Sequence, residues 1–306
     1  MMKIQPYAVY LLVFPFILTS CPERSPSELS GGKTLKATPQ LYISYLPAEI
    51  RENSGMILYD GLVWTFNDSR GEPLVYGLHP RTGEILRRIR LDGAENRDWE
   101  AIAQDEYYIY VGDVGNNSGA RTDLKIYRLR KGDMPDGPEG RVPTEAINLL
   151  YEEQWVGGEL IPDRRFDCEA MVAWHDSLFL FTKDWVNEQT MIFSFPAVPG
   201  VHRLNPTDSF PAGGLITGAA FLPGEPLLVL CGYSNYAPFL WLFQGFESPD
   251  FFSGETIRIE MPELFRIQTE GVYLKNADSL FISSEATDMP PQMYLLKLKS
   301  FRNRKE

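Results

Sequence analysis

A five-fold repeat of one short pattern constrains this chain more than any other feature. The segments Ser54-Gly55-Met56-Ile57, Glu100-Ala101-Ile102-Ala103, Glu169-Ala170-Met171-Val172, Thr217-Gly218-Ala219-Ala220 and Glu270-Gly271-Val272-Tyr273 each place a polar residue before Gly or Ala and then apolar residues. About 13 to 15 residues after each polar residue, a second apolar run ends in a turn, at Asn67-Asp68, Gly112-Asp113, Lys183-Asp184, Gly232 and Ser284-Glu285. Third runs follow at Leu74 to Leu78, Leu124 to Leu129, Met191 to Phe195, Phe239 to Phe243 and Met293 to Leu298. Several short strands repeating with a period of about 46 to 69 residues are the signature of propeller blades. The chain therefore reads as all-β, with four-stranded antiparallel blades.

The fourth strands fix the number of blades. Units one to four supply them as Ile85 to Leu91, Ala146 to Tyr151, Val201 to Phe210 and Thr256 to Met261, whereas unit five runs into the C-terminus without one. The spare N-terminal run Gln40 to Tyr45 can take that place and close the ring, which gives five blades. Six is the alternative, because the insert between Arg130 and Phe166 has room for further strands. The Gly or Ala of the repeat has a steric cause in this fold: innermost strands converge on the axis, where a larger side chain meets the next blade.

The N-terminus carries an address. Residues 1–20 join a short polar start to the apolar run Tyr7 to Leu18, which is interrupted by Pro15 and too short for a membrane span of about 20 residues. The run ends at Leu18-Thr19-Ser20-Cys21, which resembles the lipobox of bacterial lipoproteins and implies lipidation of Cys21. Residues 21–39 are rich in Pro, Ser, Gly, Lys and Glu, as a tether is, and the propeller is expected over 40–300. These features predict a bacterial cell-envelope protein, held to the membrane by its lipid alone and facing an extracellular ligand or an envelope protein. The net charge of -12 and the lack of a basic block argue against nucleic acid. Cys168 and Cys231 are the remaining cysteines, so one disulfide is open and a disulfide framework is not.

In a propeller the start of each innermost strand and the end of each second strand share one mouth of the central channel. Here that mouth gathers Glu100, Glu169 and Glu270 from the first column and Asp68, Asp113, Asp184 and Glu285 from the second, with Asp98, Asp167 and Thr217 beside them and Lys183 as the nearby cation. Converging carboxylates repel one another, which raises their pKa values or draws in a counter-ion. Three outcomes follow: hydrogen bonding of the carboxylates to neighbouring blades, a hard cation such as Ca²⁺ on Glu100, Glu169 and Glu270, or carboxylate catalysis by these same residues, as in glycoside hydrolysis. The loop Asp113 to Gly119 suits a tight turn better than an EF-hand, since no acidic residue closes it. Of the three histidines His79, His175 and His202, His79 precedes Pro80 in a turn and His175 sits at a hairpin tip, and no Gly-x-Ser-x-Gly elbow exists, which argues against a serine or cysteine hydrolase. Trp99 and Trp185 adjoin column positions and are candidates for stacking against sugars.

Asp98-Trp99-Glu100-Ala101-Ile102-Ala103, Tyr110 to Asn117 and Ile126-Tyr127-Arg128 resemble the "DWEDIA … YVGDIGNN … IYR" segment of a group of secreted bacterial propellers. Phe166 to Ala170, Thr182-Lys183, Ile216 to Ala219 and Gln268 to Gly271 resemble that group's later blades. The wider neighbourhood is similar to phytase-like, TolB-like and SdiA-regulated propellers, which implies the fold and often channel calcium. Propeller phytases carry a denser acidic cluster with Lys and Arg for phosphate; here Lys183 and Arg121 are the counterparts at hand, so the resemblance does not extend to phytase activity.

Overall fold

The computed structural model describes residues 32–302 apart from 223 and 248, so Cys21 and the leader lie outside the described residues. Five sheets stand around a central channel. The first blade is built from Asn53–Tyr59, Leu62–Asn67, Leu74–Leu78 and Ile85–Asp92, and the second from Trp99–Gln104, Tyr108–Asp113, Lys125–Arg130 and Glu145–Tyr151. Cys168–Trp174, Ser177–Thr182, Thr190–Pro196 and Asp208–Phe210 make the third. Leu215–Leu222, Leu227–Ser234, Ala237–Gln244 and Glu255–Glu260 make the fourth. Thr269–Asn276, Ser279–Ser284 and Met293–Lys297 make the fifth, which Gln40–Ile43 completes by antiparallel pairing with Met293–Lys297. This is a five-bladed β-propeller closed by its N-terminal strand.

Three blades gain a fifth strand by one rule: the segment just before the fourth strand of a blade reaches back to the outer edge of the preceding blade. Glu139–Pro143 pairs in parallel with Ile85–Asp92, Gly200–Leu204 with Glu145–Tyr151, and Lys33–Lys36 with Glu255–Glu260. Two expectations change as a result. The insert between Arg130 and Phe166 builds no sixth blade: besides Glu145–Tyr151, the fourth strand of the second blade, it supplies Glu139–Pro143, which extends the first blade, and the small hairpin Trp155–Val156 with Glu159–Leu160. The run Val201 to Phe210 is two strands belonging to different blades, since Asn205 and Pro206 interrupt it. The segment expected as tether likewise supplies the strand Lys33–Lys36, whose alternating Lys-Thr-Leu-Lys pattern suits an exposed edge with Leu35 turned inward.

The core is divided among the five gaps between blades. Alternate residues of one strand serve opposite gaps: Ala101 and Ala103 pack toward the third blade and Ile102 toward the first, while Leu228 and Leu230 face the third blade and Leu227 and Val229 the fifth. A strand with both faces buried reads as a continuous apolar run, as these do. The small residue of the repeat is enforced by the neighbouring blade. A Cβ on Gly218 would lie 2.3 Å from the carbonyl oxygen of Glu270 in the fifth blade, and one on Gly271 would lie 3.0 Å from Met56 in the first, besides 2.4 Å from Ser283 Oγ of its own blade.

Candidate functional site

The five column residues divide into two kinds. Ser54 donates its hydroxyl to the backbone carbonyl of Glu100 at 3.0 Å, and Thr217 does the same to Thr269 at 2.7 Å, so each neutral residue ties its blade to the next. Glu100, Glu169 and Glu270 instead occupy the channel mouth, each 5% exposed or less.

Their partners differ. Glu169 accepts from Lys183 Nζ at 2.6 Å, and both groups are buried. The ammonium lies 4.9 Å from the ring centre of Trp185 and 5.6 Å from that of Tyr233. Burial is the largest single influence on Lys183 and opposes its charge, but Glu169 and Glu270 outweigh it and hold the lysine pKa well above the ordinary value. Burial pushes Glu169 up, with Lys183 pulling the other way. One ammonium thus serves three carboxyls. Burial followed by the charge of Glu169 raises Glu100 well above the carboxylate range, and burial raises Glu270 against the pull of Lys183.

Several acidic residues of this mouth are architectural. Asp184 accepts from the amides of Val186 and Asn187 and from Asn187 Nδ2, which caps the turn after its strand. Asp167 accepts from the Asn116 amide at 2.5 Å and Trp185 Nε1 at 2.7 Å. Asp113 accepts from the Asp98 amide and from Arg121 at 2.7 Å. Arg121 also binds Asp123 and the Gly115 carbonyl, so it is committed to structure and leaves no fork free for an anion. The loop 113–119 is a turn closed on itself, with Asn116 accepting from the Arg121 amide and Gly119 donating to the Asn116 carbonyl. Gly115 is needed there because a Cβ would lie 2.5 Å from Asp98 Oδ2.

Asp68, Asp98 and Glu100 form a different set. One carboxylate oxygen of each lies within 4.8 Å of the others, although the three come from the ends of strands in two blades. Among the described residues, Asp68 Oδ1 and Glu270 Oε2 are buried without a hydrogen-bond partner. Burial, then the charges of Asp98 and Glu270, push Asp68 up to about 7, and burial with Glu270 and Asp68 pushes Glu285 up to about 9. Glu285 accepts from Gln268 Nε2 at 2.8 Å. The sequence places Glu100, Glu169 and Glu270 together as metal ligands. In the structure Glu169 is paired with Lys183, and the group that converges joins Glu100 to the second-column Asp68 and to Asp98. Asp68 and Asp98 were legible as mouth residues, but the sequence holds no signal that pairs them across a blade boundary.

Aromatic expectations also change. Trp99 is fully buried, packs on Phe66 and Tyr127, and donates Nε1 to the Glu95 carbonyl, so it is core. Trp185 remains at the mouth, under Lys183 and with Arg164 4.6 Å from its ring centre. Cys168 and Cys231 are free thiols, buried in separate blades; burial pushes Cys231 up to about 12 and raises Cys168 further.

No protein-family model and no curated protein matches the chain. Solved structures match it in fold. An exo-beta-1,3-galactanase from Phanerochaete chrysosporium aligns over 86% of this chain and 65% of its own at 10% identity, with a TM-score of 0.51. A GH43_1 enzyme from Xanthomonas citri aligns over 86% and 90% at 10% identity with a TM-score of 0.46, and a glucose dehydrogenase over 83% and 98% at 8% identity with a TM-score of 0.47. The chain is a β-propeller with a three-carboxylate group at one mouth of its channel.

Proposed function

We propose that this propeller is held at the bacterial cell envelope by a lipid on Cys21 and binds Ca²⁺ at its acidic channel mouth, where it takes an extracellular ligand. The carrying observation is the convergence of Asp68, Asp98 and Glu100 within 4.8 Å, with Asp68 Oδ1 buried and, among the described residues, without a hydrogen-bond partner. Buried carboxylates without a donor or counter-charge are costly, and a hard cation offering six to eight oxygen positions removes that cost while leaving places for a ligand. Glu169 is already neutralised by Lys183 and stands beside the cation site rather than in it.

The measurement that tests this is the melting temperature of the purified protein in EGTA and then in excess Ca²⁺. Binding to the folded state alone must raise it. The expected result is a rise of several degrees that Glu100→Gln removes; no rise in the wild type sinks the proposal.

A second reading, carboxylate-dependent hydrolysis of an extracellular glycan or phosphoester, draws on the unlike environments of Glu100, without a cation, and Glu169, paired to one. Such a difference lets one carboxyl act as acid and another as base. The galactanase whose fold this chain shares is described with β-1,3-galactotriose, which makes neutral glycans the first substrates to try. That reading predicts that Glu100→Gln abolishes turnover at an unchanged melting temperature in EGTA.

A further inference from the structure

The insert that leads into the third blade carries a hairpin that the proposed cation site does not use. Trp155–Val156 and Glu159–Leu160 pair only with each other, and Gly157 and Gly158 make the turn at φ +63° and +90°, the left-handed pair that a two-residue hairpin needs. Its base is fixed: the buried Gln154 donates Nε2 to the Gly119 carbonyl at 2.6 Å, and the Asp163 amide donates to the same carbonyl at 3.0 Å. Its tip stands clear, since a Cβ on either turn glycine would meet nothing within 4 Å. Yet this arm holds Trp155, Val156 and Ile161 in exposed positions. A lone two-stranded hairpin has little stability of its own in water, and apolar side chains held out on one mark a contact surface.

The two faces of the propeller share exposed apolar residues unequally. Loops around the acidic mouth add Val186, Tyr236 and Phe265, 55% to 70% exposed, whereas loops around the opposite mouth offer Tyr107 and Val198. The loops of the acidic face are joined in series. After the hairpin, the Arg164 carbonyl accepts from the Trp185 amide, and the Glu188 carbonyl from the Gly213 amide at 2.8 Å. Gly214 then lies against Tyr233, whose carbonyl oxygen a Cβ would approach to 2.7 Å, and the Tyr236 carbonyl accepts from the Arg266 amide at 2.8 Å. Tyr236 stands at φ +64°, a costly backbone for an aromatic residue, with its side chain exposed.

Charge selects the occupant of this arc. Glu153, Glu159, Glu188 and Glu263 are exposed along it and form no ion pair among the described residues. Arg165 is balanced by Asp163 and Glu152 by Arg203, which leaves Arg164 over the Trp185 ring and Arg266 beside Phe265. The free carboxylates outnumber those two arginines, so the arc is net negative before a partner arrives. A two-fold contact with a second copy would set the same carboxylates against one another, and an anionic membrane surface would be repelled.

We propose that the arc from this hairpin to Phe265 docks a segment of another protein rich in both lysine or arginine and large apolar residues. The apolar side chains cover Val156, Val186 and Tyr236, and the basic ones meet the free glutamates. The docking goes beyond the cation reading and is independent of it, since none of its carboxylates is Asp68, Asp98 or Glu100.

The test is fluorescence anisotropy of the full protein with labelled short peptides repeating Lys-Lys-Leu-Leu, Lys-Lys-Ser-Ser and Glu-Glu-Leu-Leu, in Ca²⁺ and in EGTA. The first is expected to bind about tenfold more tightly than either control, and equally in both buffers. Val156→Ser on the hairpin and Tyr236→Ser across the arc should each weaken it severalfold at an unchanged melting temperature, because both side chains are exposed. Tyr107→Ser on the opposite face should leave it unchanged. Equal binding of the serine peptide overturns the apolar arc, and equal binding of the glutamate peptide overturns the basic partner. No binding of the first peptide, or a dimer that Val156→Ser disperses, overturns the proposal outright. Peptide affinity lost in EGTA, with the Ca²⁺-induced rise in melting temperature intact, overturns the arc and leaves the cation reading. Peptide binding that follows the arc variants in a protein whose melting temperature ignores Ca²⁺ overturns the cation reading and leaves the arc standing.

Discussion

The two mouths of the channel are made by the same five innermost strands and are chemically opposite. Where those strands begin, the wall is Glu100, Glu169, Glu270 and their polar neighbours. Where they end, a funnel of about 860 Å³ is lined by Met56, Met171, Trp174, Phe221 and Tyr273, with Asp105, Glu106, Lys131, Asp176 and Lys275 supplying charges of both signs. At the apolar mouth aromatic packing does the holding: Trp174 meets Phe221 at 4.8 Å and Phe251 at 5.5 Å between ring centres. At the acidic mouth, hydrogen bonds and two buried ion pairs, Lys183 with Glu169 and Arg121 with Asp113, hold carboxyls together that would otherwise repel. One end is built for stability with whatever surface is left over; the other accepts electrostatic cost. Such a cost is where binding chemistry is expected.

Four experiments bear on that contrast. The largest effect should come from Lys183→Met, which strands Glu169 and its neighbours without their cation and should cost about 3–5 kcal/mol of unfolding free energy by denaturant titration. A loss under 1 kcal/mol would mean that the carboxyls of the acidic mouth are protonated and need no lysine. Next comes the cation: at about a hundredfold excess over its dissociation constant it should add about 2.7 kcal/mol, seen in hydrogen exchange as protection of the amides around Asp68 and Glu100 and not of those around Trp174. Protection spread evenly over both mouths would remove the distinction between them.

The third is Trp174→Ala. Deleting this half-buried ring should cost ~2 kcal/mol, less than a fully buried one, and leave the response to Ca²⁺ unchanged. The effect that is smallest per step, though it accumulates, is a slope with pH. Asp68 at about 7 and Glu285 at about 9 hold their protons more tightly folded than unfolded. As pH climbs past the ordinary carboxylate value, the unfolded chain ionises first, so the cation-free protein should lose about 1.4 kcal/mol per pH unit for each proton difference, until the folded values are passed. Stability in EGTA should therefore fall as pH rises from about 5 to about 9, and Ca²⁺ should reverse the trend by competing with those protons. A cation-free stability that rises over that interval would contradict the burial of these groups.

Much of this was legible in the sequence because the repeat carries its own physical reason. The small column residue, the apolar runs and the missing fourth strand of the last unit all follow from strands converging on an axis, and five blades closed by Gln40–Ile43 is what they imply. The outer strands were not legible. Glu139–Pro143 and Gly200–Leu204 are short, mostly polar and pair in parallel with a neighbouring blade, so nothing in their local pattern announces a partner. The site was legible as a ring of acids but not as pairings. That Glu169 takes Lys183 is settled by side-chain reach within the third blade, and that Asp68 meets Asp98 and Glu100 by side chains of two blades meeting across a gap, neither of which leaves a periodic signal.

The strand Lys33–Lys36 has a mechanical consequence. It lies along the outer edge of the fourth blade, one blade before the strand Gln40–Ile43 that closes the ring. A force applied through the N-terminus meets this parallel edge first, because Lys33–Lys36 precedes Gln40–Ile43 in the chain. The closing strand is loaded after that edge has given way. The edge strand thus takes up load ahead of the seam that holds the wheel shut.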